Sequence, residues 1–453
     1  MVGMDERIAA RFGLLPRGRT VLDAARDRIA QVFDVFDNVV VAFSGGKDSG
    51  AMLHLVLDHM RTHRITRPIH LFHLDYEGQY SATTEYVDSV MATPSELIVP
   101  WRVCLPVAAG CAATMFADHW QPWHPAQRDL WVRPLPDHPG VVHADNVPPG
   151  FPDFDGVWDY EFQETFETWL HQTSGARRTA VLIGIRAEES LHRYATLHAE
   201  NRRSTFQGVR WTSVLGPGVV KAYPIHDWRL SDVWHAHARF GWAYNRLYDL
   251  LYQAGVPAHQ MRVSSPFIGQ AIRQLQLYRV IEPELWSTLV GRVNGVNFSA
   301  RYGATAAMGA RATELPPGHT WASYLRLLLR TLPRDTRERY LAKFATSVRY
   351  WTGKGGAVPT RTVDELRALG IPADYLGKPP GRRTYTRPHE VVRFHTYPDA
   401  PPPVVGASAL PSYKRMCITV LRNDHTCRYM GFSPTKRDRD RQRAVIEQYQ
   451  EVG

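Results

Sequence analysis

The sequence predicts an α/β protein built on a doubly wound, mainly parallel sheet, followed by a helical region and a small C-terminal segment. Three observations carry this. Short apolar runs alternate with stretches of helical spacing, the pattern of βαβ units. The first strong apolar run empties directly into a Ser-Gly-Gly turn and then into helix-forming residues. At 453 residues, 44% hydrophobic and 22% charged, the chain can bury a sizeable core without disulfide staples.

The elements follow in order. Residues 1–34 alternate charged and small apolar groups, as in Leu22-Asp-Ala-Ala-Arg-Asp-Arg-Ile29, and predict an N-terminal helical segment. Asn38-Val-Val-Val-Ala-Phe43 reads as a buried strand feeding a tight loop. From Ser49 to His63 the spacing turns helical, with Met52, Leu53, Val56, Leu57 and Met60 on one face. Further strand-like runs lie at Ile69–Leu74, Trp101–Val107, Ala180–Ile185 and Val219–Tyr223. These place one nucleotide-binding domain over residues 35–255.

Inside it, residues 108–157 are rich in Trp and Pro. The prolines exclude regular helix, and so long a loop is expected to be a functional lid or a partly ordered insertion. Residues 256–351 predict a helical domain. Residues 352–410, rich in Gly, Pro and Arg, read as linker and loop. Residues 411–453 form a basic C-terminal segment, whose run Lys436–Arg443 alternates Arg with Asp and reads as a solvated helix with local ion pairs.

Composition bounds the function. No stretch approaches the ~18 apolar residues of a membrane span, and the N-terminus lacks the apolar core of a secretory signal. The expectation is a cytoplasmic protein without a membrane partner. Four cysteines, with no Cys-x-x-Cys pair among them, give no basis for a disulfide scaffold, a zinc site or an iron–sulfur cluster. His235 and His237 do not share a helix face, and His70 and His73 fall on opposite faces of a strand. A net charge of +10 favours anionic partners, nucleotides or nucleic acid.

The strongest motif is Ser44-Gly45-Gly46-Lys47-Asp48-Ser49, after a strand and before a helix. Two glycines let backbone approach an anion, and the helix start offers N–H groups and a positive dipole end. Lys47 adds a point charge, Ser44 and Ser49 add hydroxyls, and Asp48 is the candidate Mg²⁺ ligand. The spacing differs from the G-x-x-x-x-G-K-[ST] P-loop. A second motif, Gly184-Ile-Arg-Ala-Glu-Glu-Ser-Leu-His-Arg193, overlaps the end of another strand. Ligands bind at that edge of an open α/β sheet, so both motifs are expected to face one crevice. Asp75, ending the second strand, is a candidate ribose or metal contact, with a turn cap as the plainer reading.

Together the two motifs resemble the phosphoadenosine phosphosulfate (PAPS) reductase family of the ATP-pyrophosphatase, or PP-loop, superfamily. That family carries an SGGKDS loop and a later G-x-R-x-x-E-S-x-x-R segment, matched here by Gly184, Arg186, Glu189, Ser190 and Arg193. Tyr223-Pro-Ile-His-Asp-Trp228 and Ser231-Asp-Val-Trp234 look like its continuation, so the resemblance covers residues 35–255. Leu251–Gly255, Gln260–Phe267, Ile281–Trp286, Gly291–Gly295, Pro411–Arg415 and Leu421–His425 look like the narrower IbrA-type branch, described as PAPS sulfotransferase-like.

The resemblance implies an adenine nucleotide alpha hydrolase-like fold that binds ATP, or PAPS, with Mg²⁺. It implies cleavage of ATP at the α-phosphate to AMP and pyrophosphate, with an acceptor adenylated for sulfur or other group transfer. Lys47, Asp48, Arg186 and Arg193 would be the catalytic residues. Relatives with this loop modify nucleic acids, which makes tRNA or DNA a candidate acceptor. Two alternatives stand beside it: a PAPS or adenylyl-sulfate reductase or sulfotransferase, and a non-catalytic nucleotide sensor acting with a ParB-like partner. Sulfite-forming relatives use a cysteine near the C-terminus, whereas no cysteine follows Cys427 here. Cys417 and Cys427, near Lys414, Arg415 and Arg428, are the candidate redox or sulfur-carrying pair, with two ordinary thiols as the plainer reading.

Overall fold

The computed structural model describes residues 18–92, 95–189, 205–309, 313–379 and 388–432. They fall into two compact units. One holds the described residues up to Ala108 and from Gln121 to Ser264; the other holds Ala109–Trp120 and the described residues from Ser265 onward.

The first unit opens with helix α1, Val21–Val35, whose start is fixed by a reciprocal Thr20–Asp23 capping box. Its sheet contains β1 (Asn38–Ala42), β2 (Ile69–Leu74), β3 (Ile98–Cys104), β4 (Val141–His143), β5 (Thr179–Ile183), β6 (Thr212–Gly216) and β7 (Val219–Ala222). They lie in the order β4-β3-β2-β1-β5-β7-β6. All pairs are parallel except the edge pair of β6 with β7. Helices α2 (Lys47–Thr62), α3 (Ser81–Met91) and α4 (Asp159–Ser174) connect successive parallel strands.

Both sheet faces are covered, which is why β1 is apolar without alternation. Val39 and Val41 pack with Met52, Val56 and Met60 of α2, while Val40 packs on the other face with Phe162, Phe166 and Trp169 of α4. The chain steps from β1 outward to β4, then returns to lay β5 on the far side of β1. The carboxyl ends of β1 and β5 are therefore the topological switch point, where open α/β sheets hold ligands.

Within the stretch 108–157, expected as a lid or insertion, residues 121–157 pack as part of the first unit. Val141–His143 forms the edge strand β4, in register with Arg102–Cys104 of β3. Trp123 is 1% exposed. Glu77, fully buried, accepts the backbone N–H groups of Trp123 (2.6 Å) and Val132 (2.9 Å). A chain too rich in proline to satisfy itself as helix is thus satisfied by a carboxylate at the end of β2.

The second unit has a helical core and a small sheet. Trp321–Thr331, Arg334–Arg349 and Tyr413–Leu421 bury Leu325, Leu329, Tyr340, Phe344 and Met416 in one core. Residues 352–410, expected as linker, instead form a three-stranded antiparallel sheet of β8 (Gly356–Pro359), β9 (Ala373–Tyr375) and β10 (His389–Phe394), with β10 central. Helix Thr360–Ala368 packs on it through Val363 and Leu366. These strands span three to six residues and border on Gly and Pro, too short for a periodic signal. The expected N-terminal segment is described from residue 18, and the run Lys436–Arg443 lies outside the described residues. Among the described residues no helix is long and apolar enough to cross a membrane.

Candidate nucleotide-binding site

Between β1 and α2 the chain must reverse within a few residues. Gly45 takes φ +74°, a left-handed conformation that glycine adopts without strain. Gly46 caps α2, and a Cβ there would lie 3.2 Å from both the Ser44 and Tyr248 hydroxyl oxygens. The two serines tie the loop to itself. Ser44 Oγ accepts the Gly46 N–H (3.3 Å) and lies 3.0 Å from Ser49 Oγ, which donates to the Gly46 carbonyl (3.1 Å).

A distant segment clamps this loop from behind. Helices α5 (Leu230–Phe240) and α6 (Leu247–Gln253) flank it. Asn245, fully buried, donates through Nδ2 to the Gly45 carbonyl and to Thr83 Oγ1, each at 2.9 Å. Tyr248 Oη accepts the Lys47 N–H (3.1 Å), and His237 Nε2 sits 3.0 Å from the Lys47 carbonyl. None of the three was expected from sequence. Each lies among residues that form no recognisable motif.

The second motif closes against the first. A Cβ at Gly184 would meet the backbone of Asp48 and Ser49 at 3.1 Å, so glycine is what lets the end of β5 lie on the first turn of α2. Arg186, with its side chain 5% exposed, donates from Nε to Asp48 Oδ1 at 2.5 Å and from Nη1 to Glu188 Oε2 at 3.1 Å. Glu189 Oε1 stands 3.7 Å from the same guanidinium. Lys47 Nζ reaches Asp48 Oδ2 at 3.0 Å and lies 5.0 Å above the Tyr248 ring. Burial pushes the Lys47 amine down from its ordinary pKa, while Asp48 opposes that shift. Ser44–Ser49, Gly184, Arg186 and Glu189 thus come together; Ser190 and Arg193 lie outside the described residues.

Two cations beside a helix N-terminus fit a polyphosphate. Among the described residues nothing offers a metal ion a site held by the protein alone. Each Asp48 oxygen already faces a cation, and among the described residues no three His, Cys, Asp or Glu side chains group as metal ligands.

Asp75 is occupied elsewhere. It is fully buried, bonded to Arg102 Nε (2.9 Å) and to Arg133 Nη2 (2.5 Å), and it accepts the Glu77 N–H (2.9 Å). Burial alone would raise its pKa, but Arg133 and Arg102 outweigh it and hold the carboxyl well below the usual range. Its oxygens serve the protein interior and not a ribose or a metal.

The surroundings of Cys417 and Cys427 do not favour the thiolates that a redox or sulfur-carrying pair needs. Both thiols are buried, and burial pushes each up to about 12. Cys417 Sγ donates to the Trp321 carbonyl at 3.4 Å. The basic neighbours point away: Lys414 lies over the Trp321 ring, and Arg415 donates to the carbonyls of Leu410 and Tyr429.

Residues 38–99 and 158–254 match the phosphoadenosine phosphosulfate reductase domain, and residues 255–441 match a domain of unknown function, DUF3440. YbdN of Escherichia coli (strain K12), an uncharacterized protein, is 32% identical over 432 residues, covering 93% of each chain. The chain belongs to the YbdN family. Within this YbdN-family chain the PAPS reductase match takes in both motifs and stops short of residues 100–157, which hold β4 and the Trp-rich wall.

Among solved structures, a PAPS reductase from Candida auris in a phosphate complex shares 15% identity at a TM-score of 0.28, covering 50% of this chain and 84% of that one. The U34-tRNA thiolase NcsA of Methanococcus maripaludis, with its [4Fe-4S] cluster, shares 11% at 0.27, covering 62% and 80%.

Proposed function

We propose that this chain is an enzyme that binds ATP at the Ser44–Ser49 loop and transfers its adenylyl group. A nucleophile on an acceptor attacks the α-phosphorus, forming an acceptor–phosphorus bond. The bond from the α-phosphorus to the bridging oxygen breaks, and its electron pair leaves with pyrophosphate. The nucleophile's proton passes to solvent. A second nucleophile then displaces AMP from the adenylate. The single observation that carries this reading is the convergence of Lys47 and Arg186 on Asp48 at the switch point of the sheet. Two buried cations next to a helix start are placed to stabilise charge on a departing pyrophosphate, the kind of preorganised electrostatics that usually dominates such catalysis. Nucleic acid is the acceptor class that the +10 net charge favours. Such chemistry belongs in the cytoplasm, where ATP is held.

A second reading rests on the family match itself: the domain over 38–99 and 158–254 is that of PAPS reductase, so PAPS is the competing nucleotide. The thiols weigh against reduction through Cys417 or Cys427, since neither is a thiolate near neutral pH.

The test is to incubate the purified chain and Mg²⁺ with ATP and, separately, with PAPS, and to identify products by mass spectrometry. The expected result is AMP plus pyrophosphate from ATP, stimulated by tRNA or DNA and lost in Lys47→Ala. Sulfite or adenosine bisphosphate from PAPS would overturn the ATP reading. Tight binding with no product, with or without nucleic acid, would instead favour a nucleotide sensor working with a partner such as a ParB-like protein.

A further inference from the structure

Arg186 stands among more carboxylates than a phosphate-binding arginine needs. Asp48, Glu188 and Glu189 lie 2.5, 3.1 and 3.7 Å from its nitrogens. Among the described residues these three match the nearby cations Lys47, Arg186 and, at longer range, Arg262 in number, at a place that must attract a polyanion. Asp48 belongs to the phosphate loop and also pairs with Lys47. Glu188 differs in two respects. Its side chain is 51% exposed, and its Oε2 accepts both from Arg186 Nη1 (3.1 Å) and from the backbone N–H of Leu230 (2.7 Å), the first residue of α5. One oxygen therefore moors the guanidinium to a helix start, where a carboxylate is held well. The same carboxylate sets its negative charge against that of an arriving phosphate.

We propose that Glu188 is a positioning residue that fixes Arg186 in place and at the same time restrains the affinity of the site for nucleotide phosphate. This rests on the nucleotide-binding reading above. Glutamine separates the two effects, because its amide oxygen keeps the acceptor and loses the charge. Alanine removes both.

Calorimetric titration of ATP into wild type, Glu188→Gln, Arg186→Ala and the double variant tests it, with the ligand-induced shift in Tm followed in parallel. Glu188→Gln is expected to tighten ATP binding roughly two- to five-fold, the scale of a half-exposed ion pair. In the Arg186→Ala background the same substitution is expected to change nothing, since Glu188 acts through that arginine. Turnover should survive in Glu188→Gln and fall in Glu188→Ala, with kcat dropping more than KM changes. An equal gain in both backgrounds would overturn the proposal, because it would be a diffuse charge effect. Unchanged or weaker binding in Glu188→Gln on a wild type that binds ATP would overturn it while leaving the nucleotide reading intact. A wild type that binds no ATP, and no differently from Lys47→Ala, would sink the nucleotide reading and this proposal with it.

Discussion

Two aspartates near the carboxyl ends of neighbouring central strands have the same kind of company and opposite uses. Asp48, in the first turn after β1, pairs with Lys47 and Arg186. Asp75, just past β2, pairs with Arg102 and Arg133. The difference is access. The Asp48 side chain keeps 17% of its surface in solvent, whereas that of Asp75 keeps none. Where a carboxylate bridging two cations stays in reach of water, a phosphate can compete for the cations. Where it is sealed, the same arrangement is a joint that holds β2, β3 and the proline-rich wall together.

The largest expected effect tests the sealed member. Asp75→Ala leaves Arg102 and Arg133 buried without their counterion and should destabilise the chain by about 3–5 kcal/mol, read by urea unfolding. Asp48→Asn should cost less, because the Asp48 carboxylate keeps contact with water and Arg186 retains Glu188 and Glu189 beside it. Similar losses in the two variants would erase the distinction. The pH dependence has a definite sign. The Asp75 carboxyl is held below its unfolded pKa, so its stabilisation is complete above about pH 4 and is lost as the pH falls through the folded value. Asp75→Asn should flatten that acid limb.

Next in size is the open member's partner. Lys47→Ala should lower turnover of ATP on the order of 100-fold, the usual loss when one charge-stabilising donor is removed, with urea unfolding moved far less than in Asp75→Ala. The comparison sharpens if activity and stability separate in this way between a cation of the open pair and the aspartate of the sealed one.

How much of this was legible follows from the same physics. The strand at Asn38–Ala42, the glycine turn and the helix after it were readable because local rules and tertiary structure agree there. The motif at Gly184–Glu189 was readable because it ends a strand. Asp75 was flagged for its position alone, and position does not say whether a carboxylate faces a crevice or a pair of arginines from β3 and from residue 133. Asn245, Tyr248 and His237 were invisible for a related reason: their partners are backbone atoms of residues 45–47, some two hundred positions earlier. Proline-rich and short-stranded regions misled because their order comes from Glu77 and from β10, not from their own periodicity.

Tyr248→Phe is the intermediate case. It keeps the ring beneath Lys47 Nζ and removes only the hydroxyl that accepts the Lys47 N–H. A buried N–H left without an acceptor costs about 1–3 kcal/mol, so urea unfolding should report a loss in that range. ATP affinity should fall as well, because the N–H belongs to the phosphate loop. A stability loss with unchanged affinity would make Tyr248 a joint like Asp75 instead of part of the open site.

The smallest effect is expected at the cysteines. Basic neighbours made Cys417 and Cys427 a candidate reactive pair, with two ordinary thiols as the plainer reading, and burial pushes both up to about 12. Cys417 packs in the core beside Met416 and Val420, and its hydrogen goes to the Trp321 carbonyl. Neither thiol should react with a maleimide at pH 7 until urea unfolds the chain, after which both should label. A folding-linked rise in pKa means that stability falls as the pH climbs from about 9 toward 12. Cys417→Ser and Cys427→Ser, assayed at a temperature where both remain folded, should change ATP turnover less than about twofold, within surface-mutation scatter. Fast labelling of the folded protein, or activity lost in one serine variant with its fold intact, would move the chemistry from the charged loop of the first unit to the thiols of the second.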